Sequence, residues 1–316
     1  MRIVVLDGYT TNPGDISWAP LEKLGEMTLY DTTPPELVVE RAKDADAVIH
    51  CRINFTAEQM AALPKLKYIG TLATGYNTTD IKAAAQRNIP VCNVPLYCAE
   101  TVAQFAFSLL LGLCNRVESH SCRVKEGRWL ESVDIGTFRE PFVELSGKTI
   151  GLYGYGNIAR KVGAIARAMG MNVLAYRRHP SEEEGVTFVS KDELLAKSDV
   201  ISIHCPLTEE TKYTFNEETL AKMKPGALLI NTARGAVVEE PAVAAALHSG
   251  RLAGYAADVF ETEPDLSASP LVTAPNTVLT PHIAWASKEA RQRLVDEVAE
   301  NLRSWMNGTE RNRVNG

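Results

Sequence analysis

The stretch Lys148–Gly170 constrains the fold of this 316-residue chain more than any other part. It starts with a short apolar run at Thr149–Tyr153 and continues with Gly154 and Gly156. Apolar residues three and four positions apart then follow as far as its end. These patterns predict a strand, a glycine turn and a helix, in that order. The stretch therefore indicates a βα unit of a parallel sheet.

The small residues of this turn suit a dinucleotide. Gly154 permits a tight turn, Gly156 lets the backbone approach a pyrophosphate, and Ala159, in place of a third glycine, lets the helix pack on the strand. The phosphates would bind N–H groups at the positive end of the helix. An ordinary βα turn that uses glycine for its geometry is the alternative, and the further strands along the chain argue against it.

Strands alternate with helices on both sides of the turn. Val/Ile-rich strands separated by helices indicate parallel sheets covered on both faces, so the predicted fold is α/β with two Rossmann-like domains. The candidate strands of the first domain are Ile3–Asp7, Met27–Tyr30, Ala47–Cys51, Tyr68–Leu72 and Pro90–Val94. Those of the second are Thr149–Tyr153, Asn172–Tyr176, Thr187–Val189, Asp199–Cys205, Ala227–Asn231, Gly254–Val259 and Thr277–Leu279.

Three further segments define the domain organisation. Glu100–Arg128 is predicted to be one long helix with a very apolar middle, and residues 130–145 are predicted to be a loop. An amphipathic helix over Lys288–Met306 comes after the last strand of the second sheet. We expect it to fold back onto the first domain, which would make that domain discontinuous.

Composition and charge exclude several classes of protein. The formal net charge is −6, and no Lys/Arg run is long enough to follow a nucleic acid. The apolar segment Phe105–Leu113 is too short to span a membrane, and Met1–Asp7 reads as a first strand, not as a signal peptide. None of the six cysteines forms a Cys-x-x-Cys pair, which favours buried reduced thiols in a cytoplasmic protein and predicts no metal site.

Three polar residues fall at the ends of predicted strands of the second sheet: Arg234, Asp258 and His282. Ligands of open α/β sheets bind at the carboxyl ends of strands, so these side chains are expected to converge near a nicotinamide. Hydride transfer to a carbonyl needs a proton donor, which a histidine supplies near neutral pH. Glu263 would favour the charged imidazole, and the fork of Arg234 matches a carboxylate. Each residue alone suits an ordinary surface role, but the set behind a dinucleotide turn indicates catalysis.

The chain resembles the D-isomer-specific 2-hydroxyacid dehydrogenases over essentially its whole length. The motifs that carry the resemblance are Gly154–Ala159, His204–Thr208, Met223–Gly226 with Arg234-Gly235, Asp258–Pro264 and Pro281-His282. The resemblance implies a discontinuous, flavodoxin-like substrate-binding domain, residues 1–98 and 287–316, and a dinucleotide-binding domain, residues 99–286. It also implies that Arg234, Glu263 and His282 are the catalytic residues.

The same resemblance implies other contacts. Asp258 would hold the nicotinamide carboxamide, and the family pairs as homodimers through the dinucleotide-binding domain. The implied cofactor-binding residues are Thr101, Gly154, Gly156, Asn157, Ile158, Cys205, Pro206, Thr211, Thr232, Ala233, Asp258 and Ala284. The implied substrate-binding residues are Ala73, Thr74, Gly75 and Tyr76, together with Arg234 and His282. Arg52 is a further candidate for the substrate anion, with a structural salt bridge as the alternative.

Within the family, three stretches are most similar to glycerate dehydrogenases, also called hydroxypyruvate reductases: Gly8–Asp15, Leu72–Asn77 and His282–Ala286. This similarity implies reduction of hydroxypyruvate or glyoxylate to D-glycerate or glycolate with NAD(P)H. Two alternatives remain: an NAD(P)-sensing, corepressor-like binding protein, and the same chemistry on another 2-oxo acid such as pyruvate.

The choice of cofactor depends on the end of the second strand of the dinucleotide-binding domain. Tyr176 is followed by Arg177 and Arg178, and no carboxylate occurs before Glu182. A carboxylate would repel a 2′-phosphate, whereas an arginine pairs with one. The sequence therefore favours NADP(H). The alternative is that Arg177 stacks on the adenine and either cofactor binds.

Overall fold

The computed structural model describes residues 1–129, 142–179 and 182–316. The chain divides into two compact units. The first unit comprises Met1–Cys98 and Trp285–Gly316, and the second comprises Ala99–Ala284. The sequence placed the boundaries at 98/99 and 286/287, and the structure divides the chain at 98/99 and 284/285. The roles assigned to the two units, substrate binding and cofactor binding, stay predictions at this point.

The first unit contains a five-stranded parallel sheet in the order β2-β1-β3-β4-β5. This is the flavodoxin-like order of the predicted fold, which the structure confirms. The sheet is almost entirely apolar at its centre, as expected for strands covered on both faces. The strands are β1 Arg2–Val5, β2 Glu26–Leu29, β3 Ala47–His50, β4 Tyr68–Thr71 and β5 Val91–Cys92.

Helices cover both faces of this sheet. Two apolar clusters lie on its opposite faces, and one includes Leu294, Val298 and Leu302 of the last helix. That helix belongs to the first unit, as the sequence predicted, and begins with a cap from Ser287 to the Ala290 amide. The helices of the unit are α1 Ala19–Glu22, α2 Val38–Ala42, α3 Ala57–Ala61, α4 Ile81–Gln86 and, after the second unit, α11 Lys288–Met306.

The C-terminal residues pair with the edge strand β5. Asn93 N–H donates to the Asn312 carbonyl at 3.1 Å, and Val314 N–H donates to the Val91 carbonyl at 2.9 Å. The Asn315 side chain accepts from Val91 N–H at 2.9 Å and donates to the carbonyl of residue 89 at 2.8 Å. The tail thus continues the first sheet antiparallel to β5 and uses hydrogen-bonding groups that the edge strand would otherwise expose.

The second unit contains a seven-stranded parallel sheet in the order β12-β11-β10-β9-β6-β7-β8. Counted from β6, this is the 3-2-1-4-5-6 order of a dinucleotide-binding sheet with a seventh strand added, which confirms the predicted fold class. The strands are β6 Thr149–Tyr153, β7 Asn172–Tyr176, β8 Thr187–Phe188, β9 Val200–Ile203, β10 Ala227–Asn231, β11 Leu252–Ala257 and β12 Thr277–Leu279.

The prediction of one long helix over Glu100–Arg128 is wrong. Two helices occupy this segment, and Arg116 between them has a left-handed conformation with φ of 47°. A residue of this conformation cannot continue an α-helix. Arg116 donates to the Asn276 side chain at 2.9 Å, a contact that no local pattern reveals. The helices of the unit are α5 Ala99–Asn115, α6 Val117–Lys125, α7 Asn157–Ala168, α8 Lys191–Lys197, α9 Glu217–Lys222 and α10 Glu240–His248.

Some predictions concern single features of the chain. Most of the loop predicted over 130–145 lies outside the described residues. Cys92, Cys114 and Cys205 are buried as expected, but Cys122 is exposed on α6. Among the described residues, no group of three or more His, Cys, Asp or Glu side chains is placed to hold a metal ion. In the same part of the chain, no helix is both long and apolar enough to cross a membrane.

Candidate active site

The glycine turn between β6 and α7 has the geometry that a close-approaching ligand needs. Gly154 has φ of 90°, and a Cβ there would lie 2.6 Å from the Cys205 amide nitrogen. A Cβ at Gly156 would meet no atom within 4 Å, so the space above this residue is open. Ala159 is fully buried between α7 and the sheet. Gly154 is therefore required by the fold itself, whereas Gly156 leaves room for something that binds there.

Two polar features of the second unit fit a nicotinamide dinucleotide. The N-terminus of α7 has no side-chain cap hydrogen bond and no acidic residue in its first turn, so its N–H groups are left for an anion. The Thr232 hydroxyl, directly after β10, is buried without a hydrogen-bond partner within the described residues. A buried polar atom of this kind suits a polar ligand group. Burial also raises the pKa of the Cys205 thiol to about 11, so that side chain is a neutral part of the wall near pH 7.

The loops after β9 and β10 place the other predicted cofactor residues. The Thr211 hydroxyl donates to the Pro206 carbonyl at 2.6 Å and accepts from the Thr208 amide at 2.7 Å, so it closes the loop after β9. The Ala233 amide donates to the buried Asn231 side chain at 3.0 Å. These contacts fix the backbone of both loops. Direct contact of these residues with a cofactor stays a prediction, as it does for Thr101 on α5 and for Asn157 and Ile158 at the start of α7.

The end of β7 carries the two arginines that bear on cofactor choice. Arg177 is half-buried directly after Tyr176, and Arg178 is exposed. The Arg178 guanidinium pairs with the Glu210 carboxylate at 2.5 Å, with both side chains largely in solvent. Exposed ion pairs of this kind contribute little to stability, so a 2′-phosphate could replace Glu210 at small cost.

His282 and Glu263 form a hydrogen-bonded pair. The His282 Nδ1 lies 2.7 Å from the Glu263 Oε2, and both side chains are about one third exposed. The other carboxylate oxygen accepts from the Phe260 amide at 2.9 Å, which orients the carboxylate. His282 has φ of 55°, a left-handed conformation that is uncommon outside turns and special sites. The pair is what general acid–base chemistry by an imidazole requires.

Asp258, directly after β11, holds the segment that carries His282. Its side chain is buried and accepts from the Thr280 hydroxyl at 2.6 Å, the Ile283 amide at 2.9 Å and the Ala284 amide at 2.7 Å. These donors lie on both sides of His282. The resemblance implied only a cofactor contact for Asp258. The structure shows that this side chain also positions the loop that carries His282.

Arg234 lies on the loop after β10. Its guanidinium donates to the Ala233 carbonyl at 2.7 Å, and its own carbonyl accepts from the Asn231 side chain at 3.0 Å. The next residue, Gly235, packs so closely on Phe260 that a Cβ would lie 1.8 Å from the Phe260 carbonyl carbon. A glycine at this position brings the backbone of the Arg234 loop against the loop that carries Glu263.

The remaining predicted substrate residues belong to the first unit. The Asp7 carboxylate accepts from the Cys51 and Arg52 amides at 2.8 and 2.7 Å, which fixes the backbone after β3. Within the described residues of its own unit, the Arg52 guanidinium has no salt bridge. In the loop Ala73–Tyr76, the Thr74 hydroxyl donates to the Val94 carbonyl at 2.8 Å. The substrate contacts of Arg52 and of this loop stay predictions.

Sequence reasoning missed two buried carboxylates that shape these loops. Asp7 ended a predicted strand, so its place at the carboxyl edge of a sheet was readable, but its partners 44 and 45 residues away were not. Glu240 was not among the candidate residues, and the structure makes it the first residue of α10. Its carboxylate is buried and accepts from the Glu261 amide at 2.9 Å.

Comparisons with known proteins agree with this architecture. The chain is 44% identical to the hydroxypyruvate reductase of Blautia hydrogenotrophica, with full coverage of both chains. The D-lactate dehydrogenase of Aquifex aeolicus, solved with NAD and lactic acid, superposes with a TM-score of 0.83 at 30% identity, covering 100% of this chain and 99% of that one. An acyclic imino acid reductase, solved with NADPH and D-Arg, gives a TM-score of 0.87 at 30% identity, covering 99% and 100%.

A family profile also matches most of the second unit. Residues 107–284 match the NAD binding domain of the D-isomer specific 2-hydroxyacid dehydrogenases, and this match spans more than half of the chain. The glycine turn, the strand order of the second unit and the ends of its strands all fall within it. The chain therefore belongs to the D-isomer-specific 2-hydroxyacid dehydrogenases, enzymes that use a nicotinamide cofactor.

Proposed function

We propose that this dehydrogenase reduces hydroxypyruvate or glyoxylate to the corresponding D-2-hydroxy acid or glycolate, with His282 as the general acid. The observation that carries the proposal is the 2.7 Å contact between His282 Nδ1 and Glu263. A carboxylate at Nδ1 orients the imidazole ring and leaves proton exchange with a substrate to Nε2. The similarity to a hydroxypyruvate reductase over the full length of the chain supports the choice of substrate.

Each residue has a separate task in this proposal. The residues that would hold the cofactor are the first turn of α7, with Gly154 and Gly156, and the segment around Thr232. When bound, the reduced nicotinamide supplies a hydride to C2 of the 2-oxo acid. His282 gives its proton to the oxygen on which negative charge develops, and Glu263 holds the imidazole ring in the orientation for that step. Arg234 binds the carboxylate and polarises the keto oxygen through its forked donors.

A spectrophotometric assay over a panel of 2-oxo acids tests the substrate. The panel contains hydroxypyruvate, glyoxylate, pyruvate and larger 2-oxo acids, each with NADH and with NADPH. We expect the highest kcat/KM for hydroxypyruvate or glyoxylate. A higher value for pyruvate would make the enzyme a D-lactate dehydrogenase. Nucleotide binding without turnover of any acid would instead indicate the NAD(P)-sensing, corepressor-like protein.

We further propose a preference for NADP(H). The absence of a carboxylate directly after Tyr176 and the two arginines there support it. Replacement Arg178→Gln is expected to raise the KM for NADPH about tenfold and to leave the KM for NADH within twofold, because one charge-assisted phosphate contact is lost. Equal changes in the KM for NADPH and for NADH would indicate that Arg178 does not bind the 2′-phosphate.

We also propose a cytoplasmic homodimer that forms through the second unit. The second unit exposes apolar side chains on and after α6, namely Val117, Val124 and Trp129, each more than half exposed. Such side chains favour burial in an interface. Light scattering on the purified chain should give twice the monomer mass, and Val124→Glu should lower it. Cell fractionation tests the location.

A further inference from the structure

Glu240 is a buried carboxylate outside the set of proposed catalytic residues. It is the first residue of α10, and only 6% of its surface is exposed. One carboxylate oxygen accepts from the Glu261 amide at 2.9 Å, and the other accepts from the Ser269 hydroxyl at 2.5 Å. Both donors lie on the loop that follows β11. A single side chain therefore ties two points of this loop to the start of α10.

The loop that Glu240 holds is the one that carries Glu263. Glu261 lies two residues before Glu263, and Ser269 lies six residues after it. The Glu263 carboxylate folds back to accept from the Phe260 amide. Phe260 directly precedes Glu261, whose amide donates to Glu240. The direction in which Glu263 faces His282 thus depends on the local shape of a backbone that Glu240 fixes.

A buried carboxylate is an unusual choice for a purely structural contact. Within the described residues, no Lys, Arg or His forms a salt bridge with Glu240. Burying an unpaired charge is unfavourable unless hydrogen bonds compensate for lost water. Here the compensation comes from the two loop donors and from the positive end of the α10 dipole. Since a carboxylate accepts and never donates, both of these hydrogen bonds depend on donors of this loop.

We propose that Glu240 is a positioning residue that holds the Glu263 loop so that Glu263 keeps its hydrogen bond to His282. This inference deepens the proposed function and rests on it. In this proposal Glu240 acts on the reaction mainly through Glu263, so its removal should matter most when Glu263 is there to be positioned.

A double-mutant cycle tests this dependence. The variants are Glu240→Ala, Glu263→Gln and the double variant, and the assay is kcat and KM for hydroxypyruvate with the preferred cofactor. Glu240→Ala is expected to lower kcat about fivefold and to leave the KM for the nucleotide within twofold, since the loss is one of orientation. In the Glu263→Gln background the same change should lower kcat less than twofold.

Two further variants separate orientation from folding. Glu240→Gln should restore most of the kcat, because its amide oxygen accepts from the Glu261 amide while its amide group donates to the Ser269 hydroxyl. Ser269→Ala removes one of the two bonds without emptying the site, and should give a smaller decrease in kcat in the same direction. Nucleotide titration gives the fraction of folded sites, so that kcat is expressed per site.

Asp199→Asn is the matched control. Asp199 also accepts from a backbone amide in the second unit, that of Thr149 at 2.8 Å, and it pairs with Lys224. It lies at the amino-terminal edge of the sheet, away from the Glu263 loop. This variant is expected to lower stability and to leave kcat per folded site unchanged.

The outcomes distinguish the inference from the proposed function. If Glu240→Ala lowers kcat by the same factor with and without Glu263, or leaves kcat per folded site unchanged, Glu240 is not a positioning residue. If Glu263→Gln alone leaves kcat unchanged, Glu263 has no part in proton transfer and this inference fails, whereas full activity of His282→Ala would overturn the proposed function itself.

Discussion

In each of the two units, a buried aspartate within two residues of the end of a strand holds the loop of a neighbouring strand. In the first unit Asp7 follows β1 and binds two amides of the loop after β3. In the second unit Asp258 follows β11 and binds two amides and a hydroxyl of the loop after β12. The backbone arrangement is similar, but the loops carry different side chains.

The two loops differ in whether the ionisable side chain that each one carries has a hydrogen-bonded or ionic partner. The loop of Asp258 carries His282, which is paired with Glu263, and that glutamate is itself held by Phe260. The loop of Asp7 carries Arg52, whose guanidinium has no salt bridge within the described part of its unit. A proton donor needs a fixed partner that sets its charge, whereas a group that binds an anion is best left with its donors unused. The comparison supports proton transfer for the second unit and anion binding for the first.

The largest effect is expected for His282→Ala. Loss of a general acid should lower kcat for reduction about 10³-fold. The Kd for the nucleotide should stay within twofold, because the glycine turn is untouched. His248→Ala is the control and should keep its kcat, because within the described residues this histidine bonds to the Ala244 carbonyl of its own helix α10. Full activity of His282→Ala would show that His282 is not the general acid.

The next effect concerns the pH dependence of stability in the first unit. His50 is fully buried, its Nε2 lies 3.0 Å from the Thr79 hydroxyl, and its Nδ1 has no partner in the described residues. Burial lowers the pKa of His50 to about 4. The unfolded chain takes up a proton near pH 6.5, but the folded chain does not until about pH 4. Stability is therefore present above pH 6.5 and is lost as the pH falls toward 4.

The replacement His50→Asn should reduce this loss by about 3 kcal/mol between pH 6.5 and 4. Urea unfolding at several pH values measures it, with the variant less stable than wild type near pH 7 but less sensitive to acid. Parallel curves for variant and wild type would show that His50 does not remain neutral in the folded chain.

A third prediction tests the anion-binding role of the Asp7 loop. Arg52→Met should raise the KM for the 2-oxo acid about tenfold, since a charge-assisted hydrogen bond is lost. kcat at saturation should change little. Arg303→Met, at an exposed arginine of α11, is the control in the same unit. An unchanged KM for the acid would leave the first unit without its proposed charged contact.

The smallest effect is expected for Glu263→Gln. A neutral hydrogen bond then replaces one to a carboxylate and holds the imidazole less firmly, so kcat should fall about fivefold. Steady-state kinetics measure the change. An unchanged kcat would mean that the Glu263 contact does not orient His282 for proton transfer.

Local sequence patterns were sufficient for most of the fold. The strands and their order followed from Val/Ile-rich runs separated by helices, and α11 was predicted with the bounds that the structure shows. The break at Arg116 was not predictable, because apolar and then amphipathic periodicity continues on both sides and the nearest glycine, Gly112, lies inside α5. Its cause includes a contact with Asn276, which lies 160 residues further along the chain.

Of the candidate site, the sequence predicted the catalytic residues but not the side chains that hold their loops. Arg234 and His282 stood out because they fall at predicted strand ends, and Glu263 stood out because it lies in a motif that the family shares. The carboxylates Asp7 and Glu240 did not stand out, because their function depends on which backbone amides reach them. Those amides come from residues that are distant in sequence, and no periodicity encodes them.

The pairing of the C-terminal tail with β5 has a consequence for solution behaviour. Without residues 310–316, the first sheet would end in a two-residue strand whose amides and carbonyls face solvent. A bare sheet edge is a template on which another molecule can add a strand. A chain shortened after Thr309 should therefore form aggregates on mild warming before the second unit unfolds. A purification tag fused to the C-terminus would be attached next to this protected edge, so the N-terminus is the safer position for one.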